Sequence, residues 1–241
     1  MIMNLFERRN KMNKEVNIFE EQYINKKLNA QRLYPNEGLL CFLGGRGLLG
    51  RNNQDIRVLE VGCGSGANLW MLAKEGFDVY GMDASEAGLR LAKEHLNRKW
   101  GVDANLQVGT FDNLPYENEF FDIVVDVVSM QHIELSICRK ALKEINRVLK
   151  PNGTFYSFRL SDHSAMYFNS GADKLDCATV KNISNEVLPL SNNGKTSFWS
   201  PSLVLQEYSM ADLKVESVER STRTYSGALY NVEYLSIIAR K

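Results

Sequence analysis

A short apolar run that ends in three alternating glycines constrains this fold more than any other feature of the sequence. Residues 58–61 read Val-Leu-Glu-Val, and Gly62, Gly64 and Gly66 follow before a helical pattern of apolar residues. Glycine lets a backbone turn sharply and lie close to a ligand, because it has no side chain and tolerates positive φ. The pattern predicts a strand, a glycine-rich turn and a helix, with which α/β proteins hold nucleotide-like cofactors.

This turn by itself leaves the class of cofactor open. Gly62, Gly64 and Ala67 also fit the pattern G-x-G-x-x-A of dinucleotide-binding proteins. A nicotinamide enzyme therefore remains possible at this point, and the sequence farther along the chain has to decide.

Strand and helix patterns alternate through the central part of the chain. The fourth predicted strand is rich in β-branched residues and almost continuously apolar, as expected of a parallel strand that is buried on both faces. Strict alternation predicts an α/β fold with a Rossmann-like, doubly wound and mostly parallel sheet. The predicted strands are 56–62, 78–83, 105–108, 121–128 and 154–160, and the predicted helices are 66–75, 85–98 and 135–149.

The alternation breaks after the fifth strand. Residues 161–199 are polar and too long for a simple connection, which predicts a lid-like insertion. A helix over 201–212 and two long strands, 213–225 and 231–240, then predict a C-terminal antiparallel pair that completes a seven-stranded sheet. A dinucleotide-binding domain does not normally end in this way.

Composition narrows the class of protein. The chain has 241 residues, which suits one domain, and its 29 basic and 29 acidic residues argue against a broad nucleic-acid surface. No signal peptide or membrane span is predicted. The cysteines form no C-x-x-C pair, so we expect neither a metal site nor a disulfide framework, and a reducing cytoplasm. They are Cys41, Cys63, Cys138 and Cys177.

Several segments, in this order and spacing, resemble the class I S-adenosylmethionine-dependent methyltransferases of the small-molecule type. The resemblance covers roughly residues 56–160, and the terminal strand pair also fits it. It implies S-adenosylmethionine as cofactor and S-adenosylhomocysteine as product. The segments are the glycine motif at 58–66, the acidic end of the second strand at 81–85, the loop at 109–115, and the fourth and fifth strand segments at 121–124 and 149–154.

The resemblance assigns cofactor roles to two acidic residues. Glu60 would organise the glycine loop or lie near the cofactor's amino group, although an ordinary salt bridge is the alternative for a carboxylate in an apolar strand. Asp83 would accept both ribose hydroxyls, because a carboxylate offers two oxygens to a diol. Ser85 suits the cap of the next helix, which frees Asp83 from that task.

The adenine side is implied in the same way. Asp112 would face the adenine amino group with Phe111 beside the ring, and an exposed loop aspartate is the alternative. Ala84 would also line the adenine. The remaining predicted cofactor-binding residues are Tyr34, Gly62, Cys63, Gly64, Gly66 and Val128.

Polar residues beyond the fourth and fifth strands are candidates for the acceptor side, because ligands bind at the carboxyl ends of strands in open α/β sheets. His132 is the first choice for a general base, with a structural histidine as the alternative, and His163 is its rival. His95 is expected on a helix surface, without a role. The candidates are Ser129, Gln131, His132, Arg159, Asp162 and His163.

The sequence thus predicts in-line methyl transfer to a small-molecule acceptor such as a metabolite, natural product or surface-sugar precursor. The alternatives are a protein or nucleic-acid methyltransferase and a non-catalytic S-adenosylmethionine-binding protein. Base amines are disfavoured, because residues 127–130 read Val-Val-Ser-Met instead of an Asn/Asp-Pro-Pro-Tyr/Phe motif. We expect residues 1–50 to form an arm over the cofactor site and 51–241 the methyltransferase domain, as a monomer or a homodimer.

Overall fold

A seven-stranded sheet is the centre of the fold. The computed structural model describes residues 18–168, 171–184, 190, 193–225, 227 and 229–241. The strands are β1 Arg57–Val61, β2 Asp78–Asp83, β3 Asn105–Val108, β4 Phe121–Val127, β5 Leu149–Leu160, β6 Asp173–Lys174, β7 Thr179–Lys181, β8 Lys195–Ser197, β9 Lys214–Tyr225 and β10 Tyr230–Arg240.

The sheet has the order β3-β2-β1-β4-β5-β10-β9. Strands β1 to β5 run parallel to one another, whereas β10 pairs antiparallel with both β5 and β9. This confirms the predicted α/β class and its antiparallel terminal pair. The strand order reverses between β1 and β4, and such a reversal opens a crevice for a ligand at the carboxyl ends of the strands.

Helices cover both faces of the sheet. One buried apolar cluster packs α5 and α7 on one face, and a second packs α2, α3 and α4 on the other. The helices are α1 with residues 18–26, α2 Glu37–Gly45, α3 Leu69–Lys74, α4 Glu86–His95, α5 Leu135–Val148, α6 Ala165–Phe168 and α7 Pro201–Ser209. Short 3₁₀ turns at Lys27–Ala30 and Met130–His132 and a π turn at Leu96–Trp100 complete the helical elements of the described chain.

The structure differs from the sequence prediction at two places that local patterns do not reveal. Strand β5 begins at Leu149 instead of residue 154, because Leu149 pairs with Phe121 and an irregularity in register absorbs the turn residues, where Asn152 has φ +64°. The prediction for His95 is wrong: this side chain is 3% exposed. The π turn brings Trp100 back across it, and the indole nitrogen donates to His95 Nε2 at 3.3 Å.

The insertion after β5 contains α6 and a three-stranded antiparallel sheet in the order β6-β7-β8, here called the lid sheet. A β-bridge between Ser161 and Trp199 joins the two ends of the insertion beside β5. Of the predicted lid, residues 169–170, 185–189 and 191–192 lie outside the described residues, as do residues 1–17 of the predicted arm. The division into arm, domain and lid stays a prediction.

All four cysteines are free. The described residues include no group of three or more His, Cys, Asp or Glu that could hold a metal ion. No helix in the described ranges is long and apolar enough to cross a membrane.

Candidate cofactor and acceptor site

The glycine loop follows β1 at the point where the strand order reverses. Gly62, Gly64 and Gly66 have φ of +69°, +52° and +80°, a region that side chains disfavour. A Cβ on Gly62 would overlap the side chain of Ser129. The loop therefore needs glycine for its backbone and also for its packing.

Asp83 connects the loop to the start of α4. Its carboxylate accepts hydrogen bonds from the backbone nitrogens of Gly64 at 2.7 Å and Ser85 at 2.8 Å. Burial raises the pKa of Asp83, and these two N–H groups oppose the rise. Ser85 caps α4 by accepting from the nitrogen of Gly88, as predicted. A carboxylate has lone pairs left after two bonds, so Asp83 keeps the capacity to accept from a diol.

Glu60 is a buried carboxylate in the middle of this site. Asn68 donates its side-chain amide to Oε1, and Oε2 has no hydrogen-bond partner among the described residues. Burial raises the pKa of Glu60 to about 7, while the charge of Arg32 and the Asn68 bond oppose the rise. Arg32 is likewise buried at its Nε, which lacks a partner within the described ranges. An acidic side chain, Glu60, and a basic one, Arg32, thus each have a buried atom near the glycine loop without a hydrogen-bond partner among the described residues.

The N-terminal segment lies directly on the glycine loop. The hydroxyl of Tyr23 donates to the side-chain oxygen of Gln31 at 2.7 Å, and a Cβ on Gly64 would overlap both groups. Glu20 accepts from the hydroxyl of Ser85 and from the nitrogen of Ala87, which fastens α1 to the start of α4. Glu20, Tyr23 and Gln31 were not among the predicted site residues, because nothing in a polar segment shows which distant loop it will cover.

Tyr34, the residue of this segment that was predicted to bind the cofactor, contacts two tryptophans instead of the glycine loop. It is 60% exposed and packs edge-on against Trp70 and Trp100, which stack on each other at 3.7 Å. The contacts of the segment with the glycine loop come from Tyr23 and Gln31 instead. A role for Tyr34 in binding the cofactor stays a prediction.

Of the residues predicted for the adenine side, Phe111 lies against the glycine loop. The ring of Phe111 lies 3.2 Å from where a Cβ of Gly62 would be. Asp112 and Ala84 are half-buried, and Cys63 is buried with a thiol whose pKa burial raises. Val128 has φ +56°, which is strained for a β-branched residue and marks the end of β4.

Asp126 holds the loop that follows β4. This fully buried carboxylate accepts from the nitrogen and hydroxyl of Ser129, from the nitrogen of Met130 and from the hydroxyl of Ser157. It thereby fixes Ser129 against Gly62. Sequence analysis missed Asp126, although a carboxylate inside an apolar strand is the same signal that drew attention to Glu60.

His132 lies on the 3₁₀ turn after β4, beneath the lid sheet. Its Nδ1 is 3.1 Å from the carbonyl oxygen of Lys195, and its ring meets Phe19 edge-on at 4.9 Å. A carbonyl can only accept, so Nδ1 carries the proton and Nε2 has the lone pair, 3.3 Å from the amide nitrogen of Gln131. Burial lowers the pKa of His132, which keeps the imidazole neutral near pH 7.

The acceptor-side candidates that follow β5 or lie at its end differ in how far they are exposed. His163 is exposed, and its backbone nitrogen and carbonyl bond to Ser161 and Asn231. Asp162 is half-buried. Arg159 is fully buried, with its guanidinium 3.9 Å from the centre of the Trp199 ring. Ser129, Gln131 and His132 thus lie together after β4, and the catalytic roles of both histidines stay predictions.

Comparison with known proteins identifies the class of domain. Residues 58–153 match the family model described as a methyltransferase domain. An uncharacterized protein of Haemophilus influenzae is 29% identical over 182 residues, which cover 74% of this chain and 68% of that protein. The ubiquinone biosynthesis O-methyltransferase of Roseobacter denitrificans is 32% identical over 93 residues, which cover 36% of this chain and only 37% of that protein.

Solved structures share the fold. The 1,6-didemethyltoxoflavin-N1-methyltransferase of Burkholderia thailandensis, solved with 1,6-didemethyltoxoflavin and S-adenosylhomocysteine, has a TM-score of 0.68 at 14% identity, over 100% of this chain and 92% of its own. The family-model match includes the glycine loop and the acidic end of β2, and it supports the predicted methyltransferase class over the dinucleotide alternative. Residues 58–153 of this chain therefore match a methyltransferase domain, and the chain has the fold of solved S-adenosylmethionine-dependent methyltransferases.

Proposed function

We propose that this protein methylates a small-molecule acceptor that binds between the glycine loop and the lid sheet. The proposal rests on the state of His132, a half-buried neutral imidazole whose Nδ1 donates to the carbonyl of Lys195. Its Nε2 lone pair lies at the carboxyl end of β4, where ligands bind in this class of sheet, and a proton acceptor role requires it to give up the 3.3 Å contact with the Gln131 amide nitrogen.

The cofactor residues form a matching set. S-adenosylmethionine supplies a methyl group that its sulfonium activates for displacement. Its amino-acid part carries one positive and one negative charge, which suits the unpartnered Oε2 of Glu60 and Nε of Arg32. We assign the ribose hydroxyls to Asp83 and the adenine to Asp112 and Phe111. The remaining assigned residues, which shape the loop and its surroundings, are Tyr34, Gly62, Cys63, Gly64, Gly66, Ala84 and Val128.

The chain's own contribution to methyl transfer is alignment and proton removal. Holding an acceptor in line with the methyl group removes most of the entropy cost of a bimolecular reaction. His132 takes the proton from a hydroxyl or protonated amine as the acceptor becomes a nucleophile, a role that commonly contributes a hundredfold or more in rate. His163 is the alternative base.

Similar proteins support a small acceptor. The names of the Roseobacter and Burkholderia methyltransferases refer to ubiquinone biosynthesis and to 1,6-didemethyltoxoflavin. We keep as predictions the arm at 1–50, the lid at 161–199, a reducing cytoplasm, a monomer or homodimer, and the absence of a nucleic-acid substrate.

The test follows formation of S-adenosylhomocysteine with a panel of phenols, catechols and aromatic amines, beside oligonucleotides and denatured protein. We expect turnover with a small molecule, and a His132→Ala variant that loses at least about a hundredfold in kcat while binding S-adenosylhomocysteine as before. His163→Ala removes the alternative base and should keep the wild-type rate if His132 takes the proton. Methylation of only the macromolecules, or an unchanged kcat for His132→Ala, would contradict the proposal.

A further inference from the structure

A buried guanidinium near the end of β5 has almost no partners. Arg159 is 0% exposed, and its Nε and Nη1 lack a hydrogen-bond partner among the described residues. Its Nη2 makes only long contacts, at 3.4 Å to the carbonyl of Met130, 3.5 Å to the hydroxyl of Ser197 and 3.6 Å to the sulfur of Cys138. None of these groups carries a full negative charge that would balance the guanidinium.

Asp126, the carboxylate whose charge acts on Arg159, already accepts hydrogen bonds from other groups. Asp126 interacts with the guanidinium through space, but its oxygens accept from Ser129, Met130 and Ser157. A buried cation that is not directly paired costs several kcal/mol in proteins. Fully buried arginines are rare unless they are paired. Arg159 therefore lacks a directly paired anion among the described residues, and a bound anion would stabilise it.

A second unsatisfied donor lies beside the first. The guanidinium of Arg159 stacks on the indole of Trp199 at 3.9 Å, and the Nε1 of Trp199 is also buried without a partner in the described ranges. The backbone of Trp199 is fixed, since its nitrogen donates to Leu160 at 3.0 Å and its carbonyl accepts from Asp162 at 3.2 Å. Arginine and the indole N–H can only donate, so this pair is complementary to an acceptor of hydrogen bonds.

We propose that Arg159 and Trp199 form a binding site for a carboxylate group of the methyl acceptor. This inference rests on the proposed function and names its substrate class. The site adjoins the acceptor side, because the carbonyl that Arg159 approaches belongs to Met130, on the same 3₁₀ turn as His132. Trp199 and Ser197 cover the guanidinium, so the lid sheet has to move aside for the acceptor to enter.

The single positive charge of Arg159 favours a carboxylate over a phosphate dianion. A monovalent carboxylate balances one guanidinium and pairs with it in a planar, two-pronged geometry. A phosphate dianion would leave an uncompensated negative charge in a buried site that already contains Asp126. Carboxylate is therefore the group that the site selects.

Trp199 itself provides the reporter. The chain has three tryptophans, and the other two, Trp70 and Trp100, stack on each other away from Arg159. A Trp70→Phe/Trp100→Phe protein leaves Trp199 as the only indole fluorophore. We would titrate it with benzoate, and with neutral benzamide as the matched ligand, at constant ionic strength and with and without S-adenosylhomocysteine. We expect a saturable change in Trp199 emission with benzoate only.

Substitutions made in the Trp70→Phe/Trp100→Phe protein show which residue is responsible for benzoate binding. Arg159→Gln should weaken benzoate binding at least about tenfold, Arg159→Lys should weaken it less, and Arg98→Gln, a change to an exposed arginine, should not alter it. Equal responses to benzoate and benzamide, no saturable response in either cofactor state, or unchanged binding in Arg159→Gln would overturn the carboxylate site. If Arg159→Gln does not fold, the comparison of benzoate with benzamide on the parent protein decides.

Calorimetric titration of the same protein with S-adenosylhomocysteine separates the two proposals. Binding of S-adenosylhomocysteine without a benzoate response overturns the carboxylate site alone. Failure to bind S-adenosylhomocysteine overturns the proposed function.

Discussion

The cofactor side and the acceptor side of this site differ in the groups that the chain leaves unpartnered. On the cofactor side, Glu60 Oε2 and Arg32 Nε are unsatisfied, and they have opposite charges. On the acceptor side, the described residues leave the donors of Arg159 and Trp199 unsatisfied, and two acceptor atoms, Gln131 Oε1 and Asp162 Oδ1, are unsatisfied as well. The first pair suits a zwitterion such as an amino-acid group, and the pair of Arg159 and Trp199 suits an anion. The pattern of unsatisfied groups thus carries information about two different ligands.

The two sides also differ in how firmly the backbone is held. Asp83 and Asp126 accept hydrogen bonds from backbone nitrogens of the glycine loop, the start of α4 and the loop after β4, so the cofactor side is fixed by the chain itself. The acceptor side is closed by the lid sheet, which meets His132 through the carbonyl of Lys195. We infer that cofactor binding uses a loop whose backbone the chain already holds in place beneath Tyr23 and Gln31, whereas acceptor binding displaces part of the lid.

The largest expected effect concerns Glu60 and pH. The folded protein holds the pKa of Glu60 at about 7 against an ordinary value of 4.5, so folding favours the protonated form. The resulting stabilisation relative to ionised Glu60 is complete below pH 4.5 and is lost as the pH rises to about 7. Glu60→Gln keeps an acceptor for Asn68 and removes this titration.

Urea unfolding of both proteins between pH 5 and 8 tests this. The free energy of unfolding of the wild type, minus that of Glu60→Gln, should fall across this range by on the order of 3 kcal/mol. Glu117→Gln, at an exposed position, is the control and should differ from wild type by a constant. A pH-independent difference for Glu60→Gln would show that the carboxylate is ionised throughout.

A smaller effect is expected at Gly64. Its φ of +52° disfavours alanine, and a Cβ there would overlap Tyr23 and Gln31. We expect Gly64→Ala to lose about 2 kcal/mol of stability, with faster hydrogen exchange in residues 20–31. Gly45→Ala is the control, since a Cβ there meets nothing within 4 Å. Equal stability and equal exchange in the two variants would mean that the N-terminal segment does not rest on the loop.

The smallest effect is expected at Tyr34. Its side chain is exposed against Trp70 and Trp100, so Tyr34→Ala should weaken binding of S-adenosylhomocysteine by less than about threefold. Tyr23→Ala, which removes a buried side chain over Gly64, should weaken it more. Calorimetric titration of the two variants compares them. The reverse order would return Tyr34 to the cofactor site that the sequence predicted for it.

Local patterns explain what could be predicted from the sequence. The glycines at 62, 64 and 66 and the alternation of strands and helices follow from backbone preferences, which neighbouring residues reveal. Tyr23, Asp126 and the pairing of Arg159 with Trp199 depend on contacts between segments far apart in the chain, which no local pattern encodes. His95 was misplaced for the same reason, because a π turn brings Trp100 over it.

Binding of S-adenosylmethionine through Asp83 in this crevice can be tested by one calorimetric experiment. Wild type, Asp83→Asn and the exposed control Asp55→Asn are titrated in parallel with S-adenosylhomocysteine and with NADH. We predict that S-adenosylhomocysteine binds wild type and Asp55→Asn, that its affinity for Asp83→Asn falls by about tenfold or more, and that NADH does not bind. Binding of NADH alone, or equal affinity of all three proteins for S-adenosylhomocysteine, would contradict the account.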